Sequence, residues 1–191
     1  MKFFEKLQLY SRLTDLASVS RRYFVIGFFD GVLTILGLIL GAYLANELKA
    51  SLVIPAGIAT ALALGISSGW GAYEAERIEQ KVHKDTKEKA MLVELKDNVV
   101  ERAHRFASAV SSFVHAISPI LGALIPLIPF AVLPEDEALP VSLVSGLVSL
   151  FVVGVTLGRL ARFNPLVSGL RMMLAGLATM VAVLVLNPVH I

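Results

Sequence analysis

The sequence predicts an all-α, polytopic membrane protein with five transmembrane helices. Three observations carry this: 56% of the 191 residues are hydrophobic, the mean hydropathy is +0.75, and five separate apolar stretches each reach the length a bilayer demands. Globular chains hold about 45–50% apolar residues. A helix rising about 1.5 Å per residue needs roughly 20 of them to cross about 30 Å of hydrocarbon. The five stretches lie at 23–45, 52–73, 106–133, 139–160 and 166–187.

The basic residues give the expected orientation. Of the 17 Lys and Arg, five precede the first stretch, eight fall within 77–105, and Arg159 and Arg162 separate the fourth and fifth stretches; the other two connections contain only Lys49. Basic residues accumulate on the cytoplasmic side. The N-terminus, residues 74–105 and the fourth connection are therefore expected in the cytoplasm, with Glu135, Asp136, Glu137 and the C-terminus outside. Residues 1–22 do not read as a signal peptide, because Lys2, Glu5, Lys6, Arg12, Asp15, Arg21 and Arg22 interrupt any apolar run. Phe3, Phe4, Leu7, Tyr10, Leu13, Leu16 and Ala17 recur there at helical spacing, which predicts an amphipathic helix on the inner leaflet. The expected organisation is an interfacial helix over 1–22, spans one and two over 23–73, a cytoplasmic helical hairpin over 74–105, and spans three to five over 106–191.

Cysteine is absent, which leaves five Met, four His and the carboxylates as the only side chains for metal chemistry. No Ser-His-Asp, His-Glu-x-x-His, Walker or Rossmann pattern is present, and 74–105 is too short for a catalytic domain. The chain reads as neither an enzyme nor a nucleic-acid binder, with no permanent cofactor.

Small residues recur four apart at Gly27 and Gly31, Gly37 and Gly41, Gly65 and Gly69, and Gly154 and Gly158. Such pairs let helix backbones approach closely in lipid, within one bundle or between copies. Span three carries Pro119, Pro126 and Pro129, so it is expected to be kinked or broken, with a polar path or a packing neighbour beside the breaks. His115 lies in the same span and either bonds a neighbouring helix or lines that path. Arg171 can snorkel to the headgroups, and Met172 and Met173 read as packing.

Asp30 is the outlier. It lies eight residues into its span, roughly 10–12 Å below the boundary, where an aspartate carries an insertion penalty approaching 2.5–3.5 kcal/mol. Such a group must face the bundle interior, be protonated or bind a cation, which makes it a functional site by default. Gly27 and Gly31 flank it and admit a second helix, or the same helix of another subunit. Two aspartates around one axis would offer a divalent ion a paired charge.

Residues 74–105 contain no Pro or Gly, so spans two and three are expected to continue as helices, with a turn near 84–89. Glu94, Asp97, Glu101 and His104 share one stripe at i, i+3, i+7 and i+10, and Glu74, Glu76 and Glu79 lie on the opposing helix. Carboxylates with a Glu-x-x-His pair resemble the iron and manganese sites of helix bundles. The interleaved Lys and Arg support the other reading, a solvated helix pair laced with salt bridges.

Four stretches, FDGVLTILGLILGA, SSGWGAYEAER, SSFVHAISPILGALIPLIPF and GLRMMLAGLATMVAVLVLN, resemble the vacuolar iron transporter family. The Asp-Gly pair of span one and the Gly-x-x-x-Pro-Leu-x-Pro-Phe pattern from Gly122 to Phe130 are the most specific pieces. The resemblance implies a five-helix protomer in a homodimer, with span one lining a pathway at the two-fold axis. It implies export of ferrous iron or manganese from the cytosol in exchange for protons, with Asp30 as the pathway aspartate. It places the chain in a lipid bilayer, as a short member of the prokaryotic cell membrane type.

Two departures accompany it. The family's Ser-Met-x-x-Gly-Glu-Tyr stretch in span two is replaced by Ser67, Ser68, Gly69, Trp70, Gly71, Ala72 and Tyr73, which leaves Ser67 or Ser68 as harder oxygen ligands. The cytoplasmic metal-binding domain is abbreviated, with Glu74, Glu76, Glu94, Asp97 and Glu101 as its remnant. The expected function is divalent-cation transport; the alternative is a scaffold or lipid-binding dimer that keeps the fold without transport.

Overall fold

The computed structural model describes residues 9–10, 13–92 and 99–186. Five of its helices are long and apolar enough to cross a membrane: α1 (Leu16–Leu44), α2 (Ala50–Met91), α3 (Val99–Val132), α4 (Glu135–Leu160) and α5 (Pro165–Leu186). Among the described residues there is no strand. The contacts divide into two units, one of residues 1–26 and 65–118, the other of 27–64 and 119–191.

Helix α1 starts at Leu16, seven residues before the apolar stretch, just after Asp15 in a left-handed conformation (φ 47°). The apolar count locates hydrocarbon and not the helix end, because Arg21 and Arg22 extend the same helix toward water. Residues 1–8 and 11–12 of the expected interfacial helix, including Phe3, Phe4 and Leu7, lie outside the described residues. The expected turn near 84–89 is corrected: α2 continues to Met91 and ends with Leu92 at φ 53°. No Pro or Gly interrupts 74–91, and pairs at helical spacing support it, Arg77 with Glu74 at 3.4 Å and His83 with Glu79 at 3.3 Å.

Span three, expected to be kinked or broken, is not broken. Helix α3 runs through Pro119, Pro126 and Pro129 without interruption. Each proline withdraws a donor from the carbonyl four residues earlier. In hydrocarbon, however, no water competes for the remaining backbone groups, so the helix persists.

In the second unit the connections are set by local chemistry. Helix α1 closes on Asn46 at φ 56°, with Asn46 N–H donating to Tyr43 O (3.0 Å) and Glu47 N–H to Ala42 O (3.0 Å), the paired bonds of a Schellman ending. Lys49 Nζ lies 2.7 Å from Glu47 Oε2. The hydrogen bond and charge of that ammonium hold Glu47 below the usual carboxylate range, and the same bond holds Lys49 above its ordinary value. Glu135 caps α2 from outside, its Oε1 accepting from Ala50 N–H at 2.9 Å, and with Asp136 and Glu137 it puts negative charge on the first turn of α4. Asn164 caps α5, its Oδ1 accepting from Leu166 N–H (3.1 Å) and Val167 N–H (3.4 Å), with Pro165 in the first helical position, where no donor is needed.

The core of this unit gathers Ile35, Ile39, Val53, Ala61, Ala123, Leu127, Phe130 and Ala138. Of the small-residue pairs, Gly154 and Gly158 serve packing within the chain. A Cβ at Gly154 would meet Gly169 Cα at 2.7 Å, and one at Gly158 would meet Ser168 Oγ at 2.7 Å, so α4 and α5 approach backbone to backbone.

Candidate functional site

In the first unit, three residues meet at the start of the apolar stretches. Tyr23 of α1 donates its hydroxyl to Glu76 Oε1 of α2 at 2.9 Å. Its carbonyl oxygen lies 2.9 Å from His115 Nδ1 of α3. A carbonyl only accepts, so Nδ1 carries the proton, and in the neutral ring Nε2 is the acceptor nitrogen. The Tyr23 and His115 rings lie 5.0 Å apart and tilted, with the Arg22 guanidinium 5.4 Å from the Tyr23 centroid. Sequence reasoning gives no cause to single out Tyr23 beyond its place as an aromatic at a span edge.

A tyrosine hydroxyl on a half-buried carboxylate is a charge-assisted bond, which contributes about 1.5–3 kcal/mol. Tyr23→Phe is expected to lower stability by about that amount, read as a fall in the thermal unfolding midpoint of the detergent-purified protein.

The other expected residues of this unit are placed as follows. Ser67 is exposed and Ser68 half-buried. Next to them, a Cβ at Gly69 would meet Ala116 Cβ at 2.6 Å, so α2 and α3 pack tightly there. Glu74 pairs with Arg77, and Glu101 with Lys84 across the two helices at 3.4 Å. The His104 carbonyl accepts from Gln80 Nε2 at 3.1 Å, and the same amide also bonds Ser108 Oγ. Glu94 and Asp97 lie outside the described residues. Among the described residues no three His, Asp or Glu side chains are gathered to hold a metal ion.

Asp30 belongs to the second unit. Helix α1 buries Gly27, Phe28, Gly31, Val32, Ile35, Leu36, Ile39 and Leu40, a stripe at helical spacing, while Asp30 lies off it and is exposed on the chain. Asp30, Thr34, Gly37 and Gly41 fall at i, i+4, i+7 and i+11 and share one face. The Thr34 hydroxyl donates to the Asp30 carbonyl at 2.7 Å. That face is open: a Cβ at Gly41 would meet nothing within 4 Å, and one at Gly37 would touch only Val183 Cγ2 at 3.9 Å. Gly31, by contrast, is taken up inside the chain, where its missing side chain admits the Pro119 backbone.

Five helices of this length and composition, with ionisable groups set into and at the ends of their apolar stretches, define an integral membrane protein. The model of the VIT family, the vacuolar iron transporters, matches residues 21–95 and 74–186, and the chain belongs to that family. An uncharacterized protein of Methanocaldococcus jannaschii is 31% identical over 160 residues, which cover 82% of this chain and 83% of the relative. The family is one of membrane metal-ion transporters and not of enzymes.

Proposed function

We propose that this chain transports ferrous iron or manganese out of the cytosol in exchange for protons, along a pathway that Asp30 lines. One observation carries the reading: a carboxylate within an apolar span stands exposed on its own chain, on a face of α1 kept open by Gly37 and Gly41. A charge in that position is expensive unless something of matching chemistry covers it. A second copy of α1 supplies the cover, and the two aspartates then face one another across an axis and neutralise a divalent ion. Competition between ion and proton for the same carboxylates couples the two fluxes. The Lys and Arg spread through 77–105 support a cytosolic side for that segment, where the Tyr23, Glu76 and His115 group would meet ions entering the span.

The chain has no cysteine, so a single introduced thiol is an unambiguous reporter. Gly41→Cys in liposomes is expected to form a disulfide-linked dimer on oxidation. A cysteine in place of Leu174, exposed on α5, should not. Monomer from both variants would remove the shared axis from the reading.

A further inference from the structure

Beyond the apolar stretches, the polar ends of α2 and α3 line an open cavity of about 300 Å³. Its walls are basic. Among the described residues, Lys84, Lys87, His83 and His104 line it, with one carboxylate, Glu101, already 3.4 Å from Lys84 Nζ. Gln80 pins the two helices together at the cavity through its bonds to the His104 carbonyl and to Ser108, so the basic groups sit on a fixed frame. His83 Nε2 lies 3.3 Å from Glu79 Oε1. Among the described residues, Lys87 lies within ion-pair distance of no carboxylate.

With Lys84 paired to Glu101, Lys87 leaves the lining with an excess of positive charge, which favours an anion. Two ammonium groups and two imidazoles on facing helices suit a compact dianion with several acceptor oxygens, which lysines bind as point charges. The volume is at the small end for ligand sites, enough for a phosphate group with a small organic part, which Val100 in the lining would meet as an apolar wall. We propose that this cavity binds a phosphate-bearing anion. The proposal stands apart from the transport reading, since it uses neither Asp30 nor ion flux.

Phosphate has two sources here, a soluble ester or a lipid headgroup. Gln80 and Lys87 lie seven and fourteen residues past Tyr73 on one continuous helix, roughly 10 and 20 Å. The headgroup layer is only about 5–8 Å deep on each side, so height along the helix favours the soluble source.

The test uses the full chain in a maltoside detergent, free of added metal, with inorganic pyrophosphate as the soluble probe. Saturable broadening of the pyrophosphate phosphorus resonance and a concentration-dependent rise in the unfolding midpoint are expected, both weakening as salt is raised. Lys87→Gln and the double variant Lys84→Gln with Lys87→Gln should each bind about tenfold more weakly or worse, while Lys49→Gln, in the α1–α2 connection, should match wild type. A second arm reconstitutes the chain in phosphatidylcholine nanodiscs with or without phosphatidic acid. Retention of phosphatidic acid by wild type and its loss from the double variant, with no pyrophosphate binding, would assign the phosphate to lipid. Binding of neither probe, or equal binding by wild type and both lysine variants, overturns the proposal. So does manganese binding that Glu101→Gln abolishes when pyrophosphate does not bind.

Discussion

Asp30→Asn is expected to lower ferrous or manganous uptake by proteoliposomes at least about 100-fold, because loss of a group that merely supports a metal ligand already lowers affinity or activity about 10- to 100-fold. The substitution keeps size and shape and removes only the charge. An amide in the span carries a smaller insertion penalty than a carboxylate, so the unfolding midpoint should hold or rise. Asp30 is exposed and lies off the buried stripe of α1, which leaves the core of the second unit unchanged. Loss of flux with unchanged stability therefore separates a role in the pathway from a role in folding.

The pH dependence gives a second readout. Where proton and metal compete for one carboxylate, wild-type uptake responds to pH; any residual uptake by Asp30→Asn should not respond through this group. Equal uptake by wild type and variant would take Asp30 out of the pathway and leave family membership untouched. Absence of flux from both, with no stabilisation by either ion, would favour the scaffold reading.

How much of this was legible before the structure varies by feature. The five spans follow from length and composition, since few arrangements of 20 apolar residues exist besides a crossing helix. The long polar ends of α2 and α3 were equally legible, because 74–91 offers no helix breaker; the return point was misplaced because charge density alone does not end a helix. The partner of each small-residue pair was not legible. Gly31, Gly69 and Gly154 are used within the chain, whereas Gly41 is open, and the sequence writes all of them as the same four-residue spacing. Nor was the bond of Tyr23 to Glu76 and His115, whose partners lie 53 and 92 residues away. Local periodicity places a residue on a face; only tertiary packing decides what that face meets.

The largest stability effect is expected at Gly31 and Gly122. A Cβ at Gly31 would fall on the Pro119 carbonyl oxygen, with Pro119 Cα and C both at 2.8 Å; one at Gly122 would fall on the Phe28 carbonyl, with Phe28 C at 3.1 Å and Cα at 3.2 Å. These neighbours are backbone, so no side-chain rotation relieves the clash. Phe28 and Gly31 meet Gly122 and Pro119 within one turn of each helix, so the two contacts belong to one close crossing of α1 and α3. Gly31→Ala and Gly122→Ala should each lower stability by about 1–3 kcal/mol or more, read by thermal unfolding in detergent. Together they should fall short of the sum, because parting the helices for one relieves the other. Gly71→Ala is the control: its Cβ would meet nothing within 4 Å, and alanine is the better helix former by up to about 1 kcal/mol. A wild-type midpoint for Gly31→Ala would show that α1 and α3 do not approach this closely. Because Gly31 adjoins Asp30, displacing α1 there should also reduce flux, but with the loss of stability that Asp30→Asn lacks.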